Sequence, residues 1–269
     1  MRQVATIAGK EFRDRIRNRW VLAIAVLFAV FALLIAWFGG AQQGAVGFRS
    51  VELLIASLVS LVIYLLPLIA LVLGFDAVVG EREQGSLDLL LSLPLTRVEL
   101  LLGKYLGLAA ALAVSTLGGF GLVAAILALQ LDPAAFLRYG GFILSSVLLG
   151  LVFLSLAVMV SVFAVDRTRA SGLAIGLWFF FVLVFDLLLL GVLVASGGSF
   201  GGELFAWLLL LNPADVFRIL NVFSLGEVRE LYGLDTLLPA SLAAPWLLVP
   251  VMLLWIVVPL AIAAWRFRN

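Results

Sequence analysis

Charge is scarce in this 269-residue chain, so the places where it gathers define what chemistry is open to it. The segment Glu81-Arg82-Glu83-Gln84-Gly85-Ser86-Leu87-Asp88 is the densest ionic run that interrupts the apolar sequence. Two more acids, Asp76 and Asp186, stand inside apolar runs, and a third group comprises Glu203, Asn212, Pro213, Asp215, Arg218, Glu227 and Glu230. The chain has no cysteine and no histidine, which removes thiolate nucleophiles, thiolate and imidazole metal sites, and the usual general base near neutral pH. What remains open to these groups is ion pairing, helix capping and docking to another protein. An ionised carboxylate at the depth expected for Asp186 costs roughly 3 kcal/mol on insertion scales. It must therefore be paired, protonated or turned to a cavity, as a substrate or gating group or as a structural hydrogen-bonding one. Asp76 lies closer to the charged run and belongs by position to its electrostatics.

The elements that hold these groups are membrane helices. Apolar residues make up 65% of the chain and charged residues 12%, against about 45–50% and about 25% in soluble domains. That balance excludes a soluble enzyme, a disordered chain and a typical nucleic-acid binder. Six runs reach the roughly 20 apolar residues that a spanning helix needs: 20–38, 53–79, 101–129, 140–165, 172–196 and 246–265. They are continuous rather than alternating, which argues against a β-barrel. The first run is too long for a signal-peptide core and reads as a retained span. The expectation is a single all-α transmembrane domain over 1–269, with segment 1–19 ahead of the spans, a loop over 80–98 and a cap over 197–245.

Loop charge sets the orientation. Arg2, Lys10, Arg13, Arg15, Arg17, Arg19, Arg82, Arg97, Lys104, Arg167, Arg169, Arg266 and Arg268 fall on one side, leaving only Arg49, Arg138, Arg218 and Arg229 on the other. Both termini are therefore expected in the cytoplasm. In segment 1–19, Val4, Ala8, Phe12, Ile16 and Trp20 recur every four residues, with cations on another face. This predicts an amphipathic helix in the lipid interface.

Within 80–98, Gly85 breaks the charged stretch, and Ser86 with Leu87, Leu90 and Leu91 reads as a cap followed by an apolar helix face. Pro94 stops that helix, and Thr96 with Glu99 is a capping-box pattern for the next span. Gly103, Gly107, Ala111, Ser115 and Gly119 form a small-residue stripe in the third span, suited to packing inside one subunit or to a seam between two. Pro67 is expected to bend the second span. In the outer segment, Asn212 can cap a helix opened by Pro213, with Asp215 in its first turn.

The order Glu-x-Glu-x-Gly-Ser-Leu-x-x-Leu-Leu from Glu81 to Leu91, followed by Pro94-Leu95-Thr96-Arg97 and Gly103-Lys104, resembles the ABC-2 type permeases. These are six-span membrane subunits of ATP-binding-cassette exporters. The resemblance implies an interfacial N-terminal helix, six spans, and a short cytoplasmic coupling helix seated in a groove of the ATPase. Residues Glu81, Arg82, Glu83, Gln84, Gly85, Ser86, Leu87 and Asp88 would then couple to the motor. Downstream, Gly176-Leu177-Trp178-Phe179, Phe185-Asp186-Leu187 and Trp207–Asp215 are similar to one branch, the permeases that serve maturation of nitrous oxide reductase, a periplasmic copper enzyme of denitrification. The resemblance implies a separate ATPase carrying ATP and magnesium, a second permease copy, a periplasmic accessory protein and an inner-membrane location. The outer set Glu203, Asn212, Pro213, Asp215, Arg218, Glu227 and Glu230 is the expected contact for that accessory protein. No catalytic residue, metal site or cofactor is expected in the chain. The only lysines, Lys10 and Lys104, precede Glu11 and Tyr105, so there is no Gly-Lys-(Ser/Thr) phosphate loop. Met1, Met159 and Met252 are the only soft ligands for a copper relay. The resemblance implies either export of another species, a sulfur species being the family's suggestion, or mechanical transmission to the accessory protein, and the composition favours transmission. A lipid, glycan or drug exporter of the same family is the alternative.

Overall fold

The computed structural model describes residues 2–17, 19–38, 51–92, 94–128, 133–195, 207–223 and 244–268. Helix α1 (Arg2–Arg17) leads through Arg19, in the left-handed region at φ 57°, into the first span α2 (Trp20–Phe38). The second span α3 (Val51–Gly74) ends in a turn over 75–78 and is followed by two short helices, α4 (Val79–Glu83) and α5 (Ser86–Leu91). The third and fourth spans are α6 (Arg97–Leu127) and α7 (Pro133–Phe163). The fifth is one rod made of α8 (Arg167–Phe179), a π-helical turn (Phe180–Val184) and α9 (Phe185–Ala195). A short helix α10 (Pro213–Arg218) runs into a second π turn (Ile219–Phe223), and α11 (Pro245–Arg268) is the sixth span. Among the described residues, six helical segments are long and apolar enough to cross a membrane.

The helix limits differ from the apolar runs by five residues or more at three places, one being the fifth rod, which starts at Arg167 rather than 172. The second run, read as 53–79, breaks its helix at Gly74, where Ala157 and Leu154 of α7 come too close for any side chain. The fourth starts seven residues before the expected Gly140, at Pro133 in a first-turn position. Those roughly two extra turns carry Arg138, which the N-terminal end of α3 accommodates through an ion pair with Glu52 at 2.9 Å.

Helix α7 is the axis of the bundle, packed by α3, α6 and α11. A run of stacked, edge-on and tilted rings joins four elements at its N-terminal half: Phe28 to Phe120 at 4.9 Å, Phe120 to Phe142 at 5.3 Å and Phe142 to Phe217 at 6.3 Å. The small-residue stripe of α6 faces its own subunit. A Cβ on Gly103 would lie 2.7 Å from that of Ile7, one on Gly107 2.7 Å from the Ala8 carbonyl oxygen, and one on Gly119 2.7 Å from that of Ala25. The stripe thus seats α1 and α2. The face that α1 turns to α6 runs through Val4, Ile7, Ala8 and Glu11, while Ile16, on the four-residue repeat, is exposed.

Helix α11 contains Pro250 and Pro259. Proline at 259 has no N–H for the carbonyl of Trp255 four residues earlier. Ser155 of α7 donates its hydroxyl to that carbonyl at 3.1 Å, so the gap in one helix is closed by its neighbour.

Candidate functional site

The charged segment folds as a base and a tip. The base is α4, and each of its polar groups reaches a different neighbour. At its start the Ser161 hydroxyl of α7 accepts the N–H groups of Val78 and Val79 at 2.9 and 3.0 Å, supplying what the helix itself cannot. Arg82 donates to the carbonyls of Ala164 and Val162 at 2.9 and 3.4 Å, so it caps the C-terminal end of α7. Glu81 lies 2.6 Å from Lys104 of α6, and Lys104 lies 3.8 Å from Glu11 of α1, which in turn is 3.6 Å from Arg15. The Lys104 side chain is 4% exposed, so this chain of charges is internal. On the other side, Glu83 accepts the backbone N–H of Arg167 at 2.7 Å, and the Arg167 Nε lies 2.7 Å from Asp76. Gly80 makes room for that pair, since a Cβ there would overlap the Asp76 carboxylate and sit 2.7 Å from an Arg167 nitrogen. One five-residue helix is thereby joined directly to α6, α7 and α8, and through Lys104 to α1.

Gly85 separates base from tip at φ 70°, a left-handed conformation that an L side chain enters at a cost. Gly85, not Ser86, is the residue that precedes α5. The Ser86 hydroxyl instead points back to the Glu81 carbonyl at 3.3 Å, so the expected serine cap is replaced by a glycine turn. Leu87 is buried, whereas Leu89 is 72% exposed beside exposed Asp88, Gln84 and Gly85. Leu89 thus stands exposed on a six-residue helix that is too short to be stable apart from its neighbours. The segment after the tip is held by Gln3 of α1, which donates to the Pro94 carbonyl at 2.6 Å, and by the Thr96–Glu99 capping box opening α6. Arg97 donates to the Phe267 carbonyl at 3.2 Å and ties α6 to the end of α11.

A second cluster lies around the π turn of the fifth span. Widening the helix there leaves the Phe181 carbonyl without its usual partner, and Asn212 donates to it at 2.8 Å. Asn212 also caps α10, accepting the Ala214 N–H at 3.0 Å, and donates to Asp215 at 2.9 Å. Arg218 joins Asp215 and reaches Asp186 of α9 at 3.2 Å. Asp186 is therefore paired. Asp215, in α10 and outside the six candidate spans, is buried, and that burial pushes its carboxyl up to about 7 against the pull of Arg218. Asn212, Pro213 and Asp215 turn inward, so these three do not form the exposed contact surface expected of them; Arg218 keeps part of its surface. Glu203, Glu227 and Glu230 lie outside the described residues.

The structure gathers Asp76, Glu81, Arg82 and Glu83 into the base, places Gln84, Gly85 and Asp88 at the tip, and sets Asp186 in the outer cluster. Lys104, Glu11, Ser161 and Arg167 complete the base, although none stood out as a site residue in sequence. For Lys104 there was a signal: it is a lone cation in an otherwise apolar run.

Residues 5–269 match the family described as ABC-2 family transporter protein. A protein of Pseudomonas aeruginosa named "Probable ABC transporter permease protein NosY" is 50% identical over 272 residues, covering 99% of this chain and 98% of its own length. A protein of the same name from Stutzerimonas stutzeri is 48% identical over 276 residues, covering 100% and 99%.

Proposed function

The chain belongs to the ABC-2 family of transporter proteins, and from that premise we propose that this permease subunit couples ATP hydrolysis in a separate cytoplasmic ATPase to maturation of nitrous oxide reductase outside the membrane. The tip formed by Gln84, Gly85, Asp88 and Leu89 docks on the ATPase, and the base carries the motor's displacement into the spans. The observation that supports this reading is the asymmetry of the segment: an exposed tip on a base bonded directly to three separate helices and, through Lys104, to a fourth. A helix held by one neighbour would rock alone. One held by α6, α7 and α8, and through Lys104 by α1, moves them with it.

In this reading the chain supplies no catalytic residue, and ATP and magnesium belong to the partner. Two copies of the permease sit in the inner membrane with both termini in the cytoplasm, and a periplasmic accessory protein receives the motion. With three methionines and neither cysteine nor histidine, the chain is poorly equipped to pass copper stepwise. Transmission of movement is favoured, with export of a sulfur species as the second route to the same end.

A photo-crosslinker at Gln84 tests the docking. The expected adduct contains a nucleotide-hydrolysing protein, and co-purification of a periplasmic protein supports the maturation role. Adducts with lipid alone, from a correctly inserted permease, refute the docking.

A further inference from the structure

On the side of α5 away from Leu89, a cleft of about 450 Å³ opens between that helix and the C-terminal ends of α7 and α11. Its size falls within the range of about 300–1,000 Å³ typical of small-molecule sites. Arg82, Arg97 and Arg266 line it, with Asp88 as the one carboxylate. Arg82 and Arg97 are fixed by their bonds to the carbonyls of Ala164, Val162 and Phe267, which aim both guanidiniums at the cleft while leaving donors on each unused. Arg266 has no hydrogen-bond or ion-pair partner among the described residues and is exposed. Three forked cations facing one space suit an oxyanion that accepts several bidentate bonds, and phosphate is the common ligand of that kind.

The surroundings identify the phosphate's carrier. The cleft lies at the C-terminal ends of two candidate membrane spans, and the ends of spanning helices face the headgroup region. Phe163 and Val165 on its wall are 49% and 67% exposed, and Trp265, next to Arg266, is 67% exposed. Apolar surface running out of a cationic pocket at a membrane boundary matches a molecule with an anionic head and acyl chains. A protein segment made only of acidic residues would leave those side chains bare, and so would free phosphate.

We propose that this cleft binds the phosphate headgroup of an anionic phospholipid from the cytoplasmic leaflet, wedged between the α5 helix and the spans it moves. The proposal rests on the cytoplasmic placement of this face in the function proposed above. A lipid seated there would stiffen the joint between Leu87 and Leu91 of α5 and the ends of α7 and α11.

The permease, with whatever ATPase it retains, is placed in phosphatidylcholine nanodiscs containing a minor share of phosphatidylglycerol, and retained lipids are read by native mass spectrometry on the permease itself. Wild type should keep phosphatidylglycerol in preference to phosphatidylcholine. Arg266→Gln, which breaks no bond within the described fold, should lower that retention about fivefold, as expected for one basic group at a membrane surface. Arg266→Lys should recover most of it. Unchanged retention in Arg266→Gln overturns the site. Release of the lipid by millimolar inorganic phosphate reassigns the cleft to the free anion and overturns the lipid. Loss of the ATPase from Arg266→Gln with lipid kept shows a protein contact instead and also overturns it. Absence of an ATPase from wild type with selective, Arg266-dependent lipid retention refutes the docking while sustaining the lipid site.

Discussion

Replacing Lys104 by methionine removes the cation that joins three helices while keeping the length of the side chain. In the native protein its ammonium lies 2.6 Å from Glu81 and 3.8 Å from Glu11, with the three side chains 4%, 18% and 10% exposed. Removing one member of a buried ionic group costs about 3–5 kcal/mol, because the remaining charges stay buried without compensation. Glu81 retains some access to water and Glu11 keeps Arg15, so the lower end applies, about 3 kcal/mol. For a chain of this size about 2–4 °C of melting temperature is lost per kcal/mol, so the expected drop is about 6–12 °C. The assay is thermal unfolding of the purified permease, paired with ATP turnover of the assembled transporter. The double variant Lys104→Met with Glu81→Gln should recover much of the loss, because the costly species is the stranded carboxylate. If Lys104→Met melts with wild type, or if adding Glu81→Gln makes matters worse, the argument for a buried ionic joint fails.

Three further outcomes are expected. Gly85→Ala should destabilise by about 1–2 kcal/mol through its left-handed backbone alone, since nothing lies within 4 Å of the new methyl group; Gly85→Asn should be milder, and a melting series checks the order. Asp215 holds its proton in the folded state up to about pH 7 but releases it near its ordinary 3.8 when unfolded. The folded state thus binds more protons across that window, stability falls as pH rises through it, and the slope flattens above it; Asp215→Asn should flatten melting temperature against pH over the same range. Ser155→Ala should cost about 1–3 kcal/mol by stranding the Trp255 carbonyl, and Pro259→Ala in the same chain should restore most of it by supplying a helical N–H.

The spans were legible because each needs a long apolar run, and such runs have few other uses. Helix ends were legible where a local motif sets them, as at Thr96–Glu99, Pro94 and Asn212–Pro213. The partners of the charged groups were not. Arg82 reaches Ala164, Val78 reaches Ser161, and Arg167 reaches Glu83, all more than 80 positions apart in the chain. Helical periodicity shows which face of a helix is apolar but not which helix lies against it. The π turn at Phe180–Val184 was also hidden, since its five apolar residues look like any other stretch of a span. Its clue, a buried Asn212 needing an acceptor, becomes readable only once α10 is known to lie beside the π turn itself.

That π turn is in effect a single added residue in the register of the fifth span. Deleting one position between 180 and 184 would restore a plain α-helix and swing everything beyond it by about 100°. Asp186 would rotate away from Arg218, and the spare Phe181 carbonyl that receives Asn212 would vanish. The widened turn therefore sets the azimuth of the outer half of this span, and a one-residue change in chain length there should be tolerated far less well than most substitutions at the same positions.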